Sequence, residues 1–448
     1  MHLHTCERMD QLKDKLRSNN VNKLDYQLSL EDMPTQWFNF FPHLPKPLPP
    51  VRDNGKRSTL EISQLIRPKI LLEQNAPKEN WIDIPEEVIN KLIMCGRPTP
   101  LRRALSLEKH LKTPARIYFK REDTMATGSF KLSTAVAQAY YAKQEGREIL
   151  ISETGAGQWG MSVALVSQMF GLDARIFMAR CSLEQKPYRQ YYMKMLGCEV
   201  YPSPSTKTEC GKELLLQTPG HPGSIGSAIS EAIENALDTP GSAYLSGSNV
   251  NHVHLHQTLL GLEVKQQLSM AGESNVDHLV ACVSGGSNLC GFMMPFLPEK
   301  NSGAKIDMLG VESTASPRLT QGTYEYCRSD VAGYTPEVLS HSMGESYIPA
   351  PVHVGGLRNH NSSPLVSLLC REGILRAEAL DEFNAFKAGQ IMLKTEGILV
   401  APESSHAVAA AIELAEKARI ENKESVIVFL ASGNGFLDLQ GYNDVLNN

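Results

Sequence analysis

The stretch Glu148 to Ala179, "EILISETGAGQWGMSVALVSQMFGLDARIFMA", decides the fold class. A short β-rich run, 148–152, is followed by a loop of small residues, and the spacing then predicts a helix over 158–170. A second β-rich run, 174–179, closes the unit. Strand, loop, helix and strand in that order make one βαβ element, whose two strands must lie parallel.

The same rhythm runs outward in both directions. Strands are expected at 116–120 and 198–204, with helices over 134–146 and 184–196. A second set follows, with strands at 278–283, 306–313 and 424–431 and helices over 252–271, 378–395 and 404–421. Two such sets imply two α/β domains, each a mostly parallel sheet covered by helices on both faces, with a cleft between them. The chain's 448 residues exceed what one core usually holds, which agrees. The segment 32–50, "DMPTQWFNFFPHLPKPLPP", holds six prolines and should lie extended across a surface.

Hydrophobic content of 42% and charged content of 21% describe a globular protein with a large core. The formal charge of −5 and the lack of a basic block argue against a nucleic-acid partner. No apolar run reaches 18 residues, so no membrane span is expected. The first twenty residues lack a signal-peptide pattern. Nine cysteines are scattered singly without a CxxC pair, which fits reduced thiols and a cytoplasmic location.

Several loops then carry chemistry. In "VACVSGGSNLCG" (280–291), a strand ends in a turn whose amides, with Ser284 and Ser287, could form a phosphate nest or simply a tight turn. In "SETGAGQWG" (152–160), the amides of Thr154, Gly155, Ala156, Gly157 and Gln158 could hold a carboxylate. Glu153 beside them is a proton-shuttle candidate if its surroundings are apolar, and otherwise a helix-end partner. Ser432 emerges at a strand tip in "VIVFLASGNGFLD" (426–438), where a hydroxyl can face a heterocyclic nitrogen without charging it. Glu396 and Glu403 precede a helix in "KTEGILVAPESSHA" (394–407), and Glu403 reads as helix-terminal electrostatics. In "ATGSFKLSTA" (126–135), Lys131 sits between Phe130 and Leu132. A dry setting would lower its pKa and make it a Schiff-base nucleophile, whereas an exposed one would leave an ordinary helix-start lysine. His252 and His256 stand one helical turn apart, yet no HExxH pattern accompanies them, and no metal site is expected. Arg358 in "HVGGLRNH" (353–360) could touch an anion, or belong to a mobile loop.

A lysine nucleophile, a phosphate nest, a carboxylate loop and a neutral pyridine-nitrogen partner together describe pyridoxal phosphate (PLP) chemistry. The chain resembles the tryptophan synthase β-chain family, in its longer second type. The stretches "SLEDMPTQWFN", "GRPTPL", "YFKRED", "TGSFK", "ETGAGQWG", "EQKPYR", "PGSIGSAISEA", "NHVHLHQTLLGLE", "GGSN", "TEGILVAPESSHA" and "SGNG" carry the likeness, in order from about residue 28 to 440. The resemblance implies fold type II, with PLP in the cleft between two three-layer α/β domains. It implies an N-terminal arm at 1–24, an N-terminal domain of 25–96 plus 130–255 with a mobile substrate-side subdomain, and a C-terminal domain of 97–129 plus 256–448.

By the same resemblance, Lys131 holds PLP and moves the α-proton. Glu153 assists the β-leaving group and takes a proton from the nucleophile, and Thr154 to Gln158 grip the amino-acid carboxylate. Ser284, Gly285, Gly286, Ser287 and Asn288 cradle the phosphate, Ser432 faces the ring nitrogen, and Phe130, Ser133 and Glu396 stand near the cofactor. The implied reaction is β-replacement on a serine-like donor through an aminoacrylate, by default L-serine plus indole to L-tryptophan. A monovalent cation and a homodimer are further expectations, and an α-subunit partner is not expected. The chain departs from the family at Phe130, where His is usual, at Ser133 for Asn and at Ser284 for Gly. "SGNGFLD" also lacks the usual His or Arg after its glycine. These departures keep two alternatives open: another donor, such as an O-phosphorylated one, or a non-indole nucleophile, and a PLP-binding paralog without turnover.

Overall fold

A computed structural model of the chain describes residues 24–53 and 58–447. The expected arm lies outside these residues except for Leu24. Two sheets organise the rest. The larger has seven strands in the order Asp25–Tyr26, Leu101–Arg103, Arg116–Arg121, Val426–Ala431, His278–Cys282, Asp307–Ser313 and Leu375–Leu380. Its first two pairings are antiparallel and the other four parallel. The smaller is wholly parallel, in the order Glu199–Ser203, Asp173–Ala179, Ile149–Thr154 and Ser242–Leu245.

Both sheets are middle layers. Along Val426–Ala431, Ile427 and Phe429 pack to one side with Ala407, Val408 and Ala411 of the helix Pro402–Glu421. Val428 and Leu430 pack to the other, with Leu260, Leu289 and Val366. A strand buried on both faces has no use for polar alternation, which is why "VIVFLA" is continuously apolar. In the smaller sheet Leu150, Ile176 and Leu245 join the core beneath the helices Leu132–Gln144 and Gln158–Phe170, while Ile151, Phe177 and Tyr244 meet the helix Ile225–Leu237.

Several local expectations need correction. Asp25–Tyr26, placed with the N-terminal unit, pairs instead with Leu101–Arg103 at the edge of the larger sheet. The helix expected from 378 starts at Glu382, because Leu375–Leu380 is an edge strand. Asp381 separates the two, its carboxylate accepting the Asn384 N–H at 2.9 Å as an N-cap. The stretch 184–196 divides at Lys186, where Pro187 opens a new helix. The proline-rich segment contributes one short strand, Gln36–Phe38, paired with Trp81–Asp83, and a single 3-10 turn. A hairpin, Thr323–Cys327 with Val338–Ser342, was not anticipated. Among the described residues no helix is long and apolar enough to cross a membrane.

A buried charge network anchors the start of the larger sheet. Arg97 donates to Glu122 at 2.6 Å and to Glu263 at 2.8 Å, and Lys120 reaches Glu263 at 2.5 Å. All four side chains are fully enclosed. Removing one member strands an uncompensated charge, so Arg97→Met should lower stability by about 3–5 kcal/mol, read as a fall in the denaturant midpoint. An unchanged midpoint would show that the network is dispensable.

Candidate active site

Segments far apart in sequence are stapled together at the ends of the central strands. The Phe130 N–H donates to the Ser432 carbonyl at 3.1 Å, and the Asn434 N–H to the Gly128 carbonyl at 2.8 Å. Ser129 and Gly433 form an isolated bridge between the same segments. Lys131 is thereby held beside Ser432, where both line one cleft.

Lys131 Nζ lies 4.6 Å from the centre of the Phe130 ring and, among the described residues, has no carboxylate within ion-pair reach. Burial pushes its ammonium down to about 8, against partial support from Cys282, Glu403 and Glu153. The sequence left open a dry or an exposed lysine, and Lys131 is partly buried, lining the cleft. Roughly a tenth of its amine is therefore neutral at pH 7, far more than for an ordinary lysine.

Two carboxylates face the same cleft with opposite tendencies. Glu153 leaves the C-terminal end of the strand Ile149–Thr154. Burial raises it to about 7, although a 2.7 Å hydrogen bond from the Tyr244 hydroxyl and the nearby Arg67 act the other way. For Glu403, burial also opposes the charge, but Lys186, Arg189 and the Gly356 amide outweigh it and hold the group below its ordinary value. Gly356 N–H donates to Glu403 Oε1 at 2.8 Å. Glu153 is thus poised to exchange a proton, and Glu403 is a fixed anion. Tyr244 and Arg67 were not visible from sequence. Tyr244 reaches Glu153 from a neighbouring strand, in register with Ile151, and Arg67 lies over its ring at 4.8 Å from an N-terminal loop. Tyr244→Phe should raise the Glu153 ionisation by about one pH unit and move the pH–rate profile upward by as much. A profile that stays in place would refute this coupling.

The loop from Ser284 to Asn288 lines one end of the cleft. A Cβ at Gly285 would meet Ser248 Oγ at 2.6 Å, and one at Gly286, whose φ is +105°, would meet Val366 Cγ2 at 2.4 Å. Backbone must therefore face the cleft here. Ser284 Oγ is buried without a partner among the described residues, and the amides of Ser284 to Ser287 make no backbone hydrogen bond outside the helix that begins at Ser287. Such unspent donors suit a phosphate. Ser284 fits where a glycine was expected, since its hydroxyl adds a donor. Across the cleft, Gly155, Ala156 and Gln158 line the wall with Thr154, whose Oγ1 accepts the Gly157 and Gly160 amides and shapes the loop. Gly157 itself turns away, against Arg189. The donor set, the lysine and the hydroxyl of Ser432 fit PLP.

Two expected cofactor residues lie elsewhere. Ser133 is buried beneath the cleft, its Oγ taken by Arg97 Nε at 3.0 Å. Glu396 ends its helix and accepts the Leu107 N–H at 2.8 Å, so the acid at the cleft is Glu403. The two glutamates flank one turn, and spacing could not separate them. His256 bridges Thr134 and Gln74 inside the core, and burial lowers it to about 3, so it is a packed neutral ring. Among the described residues no three His, Cys, Asp or Glu side chains converge on a metal position. Arg358 is buried and bonds Ser182.

The two sheets, the lysine between them and the glycine-rich loop at 284–288 are those of a fold type II PLP enzyme. The pyridoxal-phosphate dependent enzyme family matches residues 92–433. Tryptophan synthase β chains are similar over almost the full length. That of Thermococcus onnurineus is 47% identical over 93% of this chain and 94% of its own. Tryptophan synthase β chain 2 of Aeropyrum pernix is 47% identical over 94% and 95%, and that of Thermotoga maritima 46% over 93% and 98%. Threonine deaminase isoform 2 from Solanum lycopersicum shares the fold at 18% identity, with a TM-score of 0.58 over 91% of this chain and 94% of its own. A fungal L-serine ammonia-lyase from Rhizomucor miehei does so at 18% identity and a TM-score of 0.58, over 78% and 96%. The chain belongs to the tryptophan synthase β-chain family of PLP-dependent enzymes.

Proposed function

We propose that the chain joins L-serine and indole to give L-tryptophan by β-replacement, with Lys131 and Glu153 as its catalytic residues. The observation that carries this reading is that Lys131, the Glu153 carboxyl, Ser432 and the Ser284–Asn288 loop all line one cleft. Lys131, the loop 284–288 and Ser432 would hold PLP, which when bound supplies an electron sink for the substrate's α-carbon. The Lys131 amine takes the proton from Cα and returns it at the end. The Glu153 carboxyl gives its proton to the departing hydroxyl at Cβ, and its carboxylate then receives one from the incoming indole. A group near pH 7 serves both halves, whereas an ordinary carboxyl would be spent as an acid. The amides of Gly155 and Ala156, which make no backbone hydrogen bond among the described residues, orient the serine carboxylate.

Division of the chain near residues 97, 130 and 256 belongs to the same reading, and apart from Asp25–Tyr26 the membership of the two sheets supports it. So do a homodimer, action without an α-subunit and a cytoplasmic location. The test is direct: purified protein with PLP, L-serine and indole should yield L-tryptophan by mass spectrometry. Cofactor binding without any product would return the chain to the non-catalytic alternative.

A further inference from the structure

Ser404 lies in the first turn of the helix Pro402–Glu421 and is fully buried. Its Oγ accepts the Gly433 N–H at 3.0 Å, and Ser432 Oγ stands 2.7 Å away. An amide can only donate, so the Ser404 proton remains for the second contact. Among the described residues that hydroxyl has no other acceptor, and a buried O–H left unpaired is costly. The bond therefore runs from Ser404 to Ser432.

Ser432 is then an acceptor toward the protein, and its own proton must point elsewhere. Its remaining hydrogen-bond neighbour among the described residues is Cys282 Sγ at 3.7 Å, a weak acceptor that already receives Asn288 Nδ2 at 3.3 Å. The open direction is the cleft, which Ser432 lines. We infer that Ser404 is a positioning residue that fixes Ser432 as a hydrogen-bond donor into the cleft, holding the pyridine nitrogen of the cofactor unprotonated. Were the Ser404–Ser432 bond reversed, Ser432 would offer a lone pair there and favour a protonated ring. The inference rests on the reading of the cleft as a PLP site.

The experiment compares binding of PLP with that of its analogue carrying CH in place of the ring nitrogen, using the full chain. The unaltered protein should prefer PLP, Ser404→Ala should reduce that preference by about tenfold, and Ser404→Thr should retain it. Ring-labelled PLP on the unaltered protein should show the ¹⁵N resonance of an unprotonated, hydrogen-bonded nitrogen. An unchanged preference in Ser404→Ala, an equal loss for both ligands, or a protonated nitrogen in the unaltered protein overturns the inference. Failure of the unaltered protein to bind either ligand overturns the PLP reading itself, a different result from any of these.

Discussion

Lys131→Ala protein will lose the long-wavelength absorbance of bound PLP on desalting, and its rate of tryptophan formation will fall by at least about 10³-fold. Two losses combine. The amine that would hold the cofactor is gone, and so is the base that serves Cα; a positioned acid–base group alone is typically worth 10²–10⁴ in rate. No neighbour can substitute. Lys186 is committed to Asp438, and Lys120 to Glu263. The overall fold should survive, because burial opposes the Lys131 ammonium and alanine removes that opposition. Intact absorbance with an undiminished rate would take Lys131 out of the chemistry.

Glu153→Gln is expected to cut the rate by roughly 10²–10³ while leaving cofactor absorbance in place, since glutamine keeps the shape and loses the exchangeable proton. Its effect on stability has a definite sign. The folded carboxyl is raised from 4.5 to about 7, so the native state binds more protons than the unfolded one between those values. Stability is therefore lost as pH rises through that window, up to ~3 kcal/mol from this group at 1.36 kcal/mol per unit. Glu153→Gln should abolish that fall, making the variant the more stable of the two at pH 8, by denaturant midpoint. A variant less stable than the parent at pH 8 would contradict the raised ionisation. Activity and stability pull in opposite directions at this residue.

The alternation of strands and helices was legible because fully buried parallel strands such as "VIVFLA" and "HLVAC" have no polar face to blur them. Leu375–Leu380 was lost because its edge position leaves Arg376 and Glu378 outward, so the run reads like the start of the helix that follows. Loops that turn backbone toward the cleft were visible for a related reason: glycines at Gly285 and Gly286 are demanded by contacts closer than a side chain allows. Roles that depend on which way a side chain turns were not. Ser133 was expected near the cofactor from the family resemblance, yet Arg97 claims its hydroxyl. Glu396 and Glu403 exchanged roles for want of a helix boundary. Tyr244 and Arg67 reach Glu153 through strand register and a loop crossing, which no local pattern encodes.

The strand Val426–Ala431 occupies the middle of the larger sheet, between Arg116–Arg121 and His278–Cys282, and delivers Ser432 to Lys131. A ribosome makes it last of the sheet's seven strands. Until it emerges, the two halves of that sheet have no common partner, and the nascent chain carries an unfilled central slot flanked by apolar strand edges. Ordering of Lys131 and completion of the sheet must then be a single late event. An expressing cell would hold either a chain awaiting closure, exposed to chaperones and proteases, or a finished enzyme, with little in between.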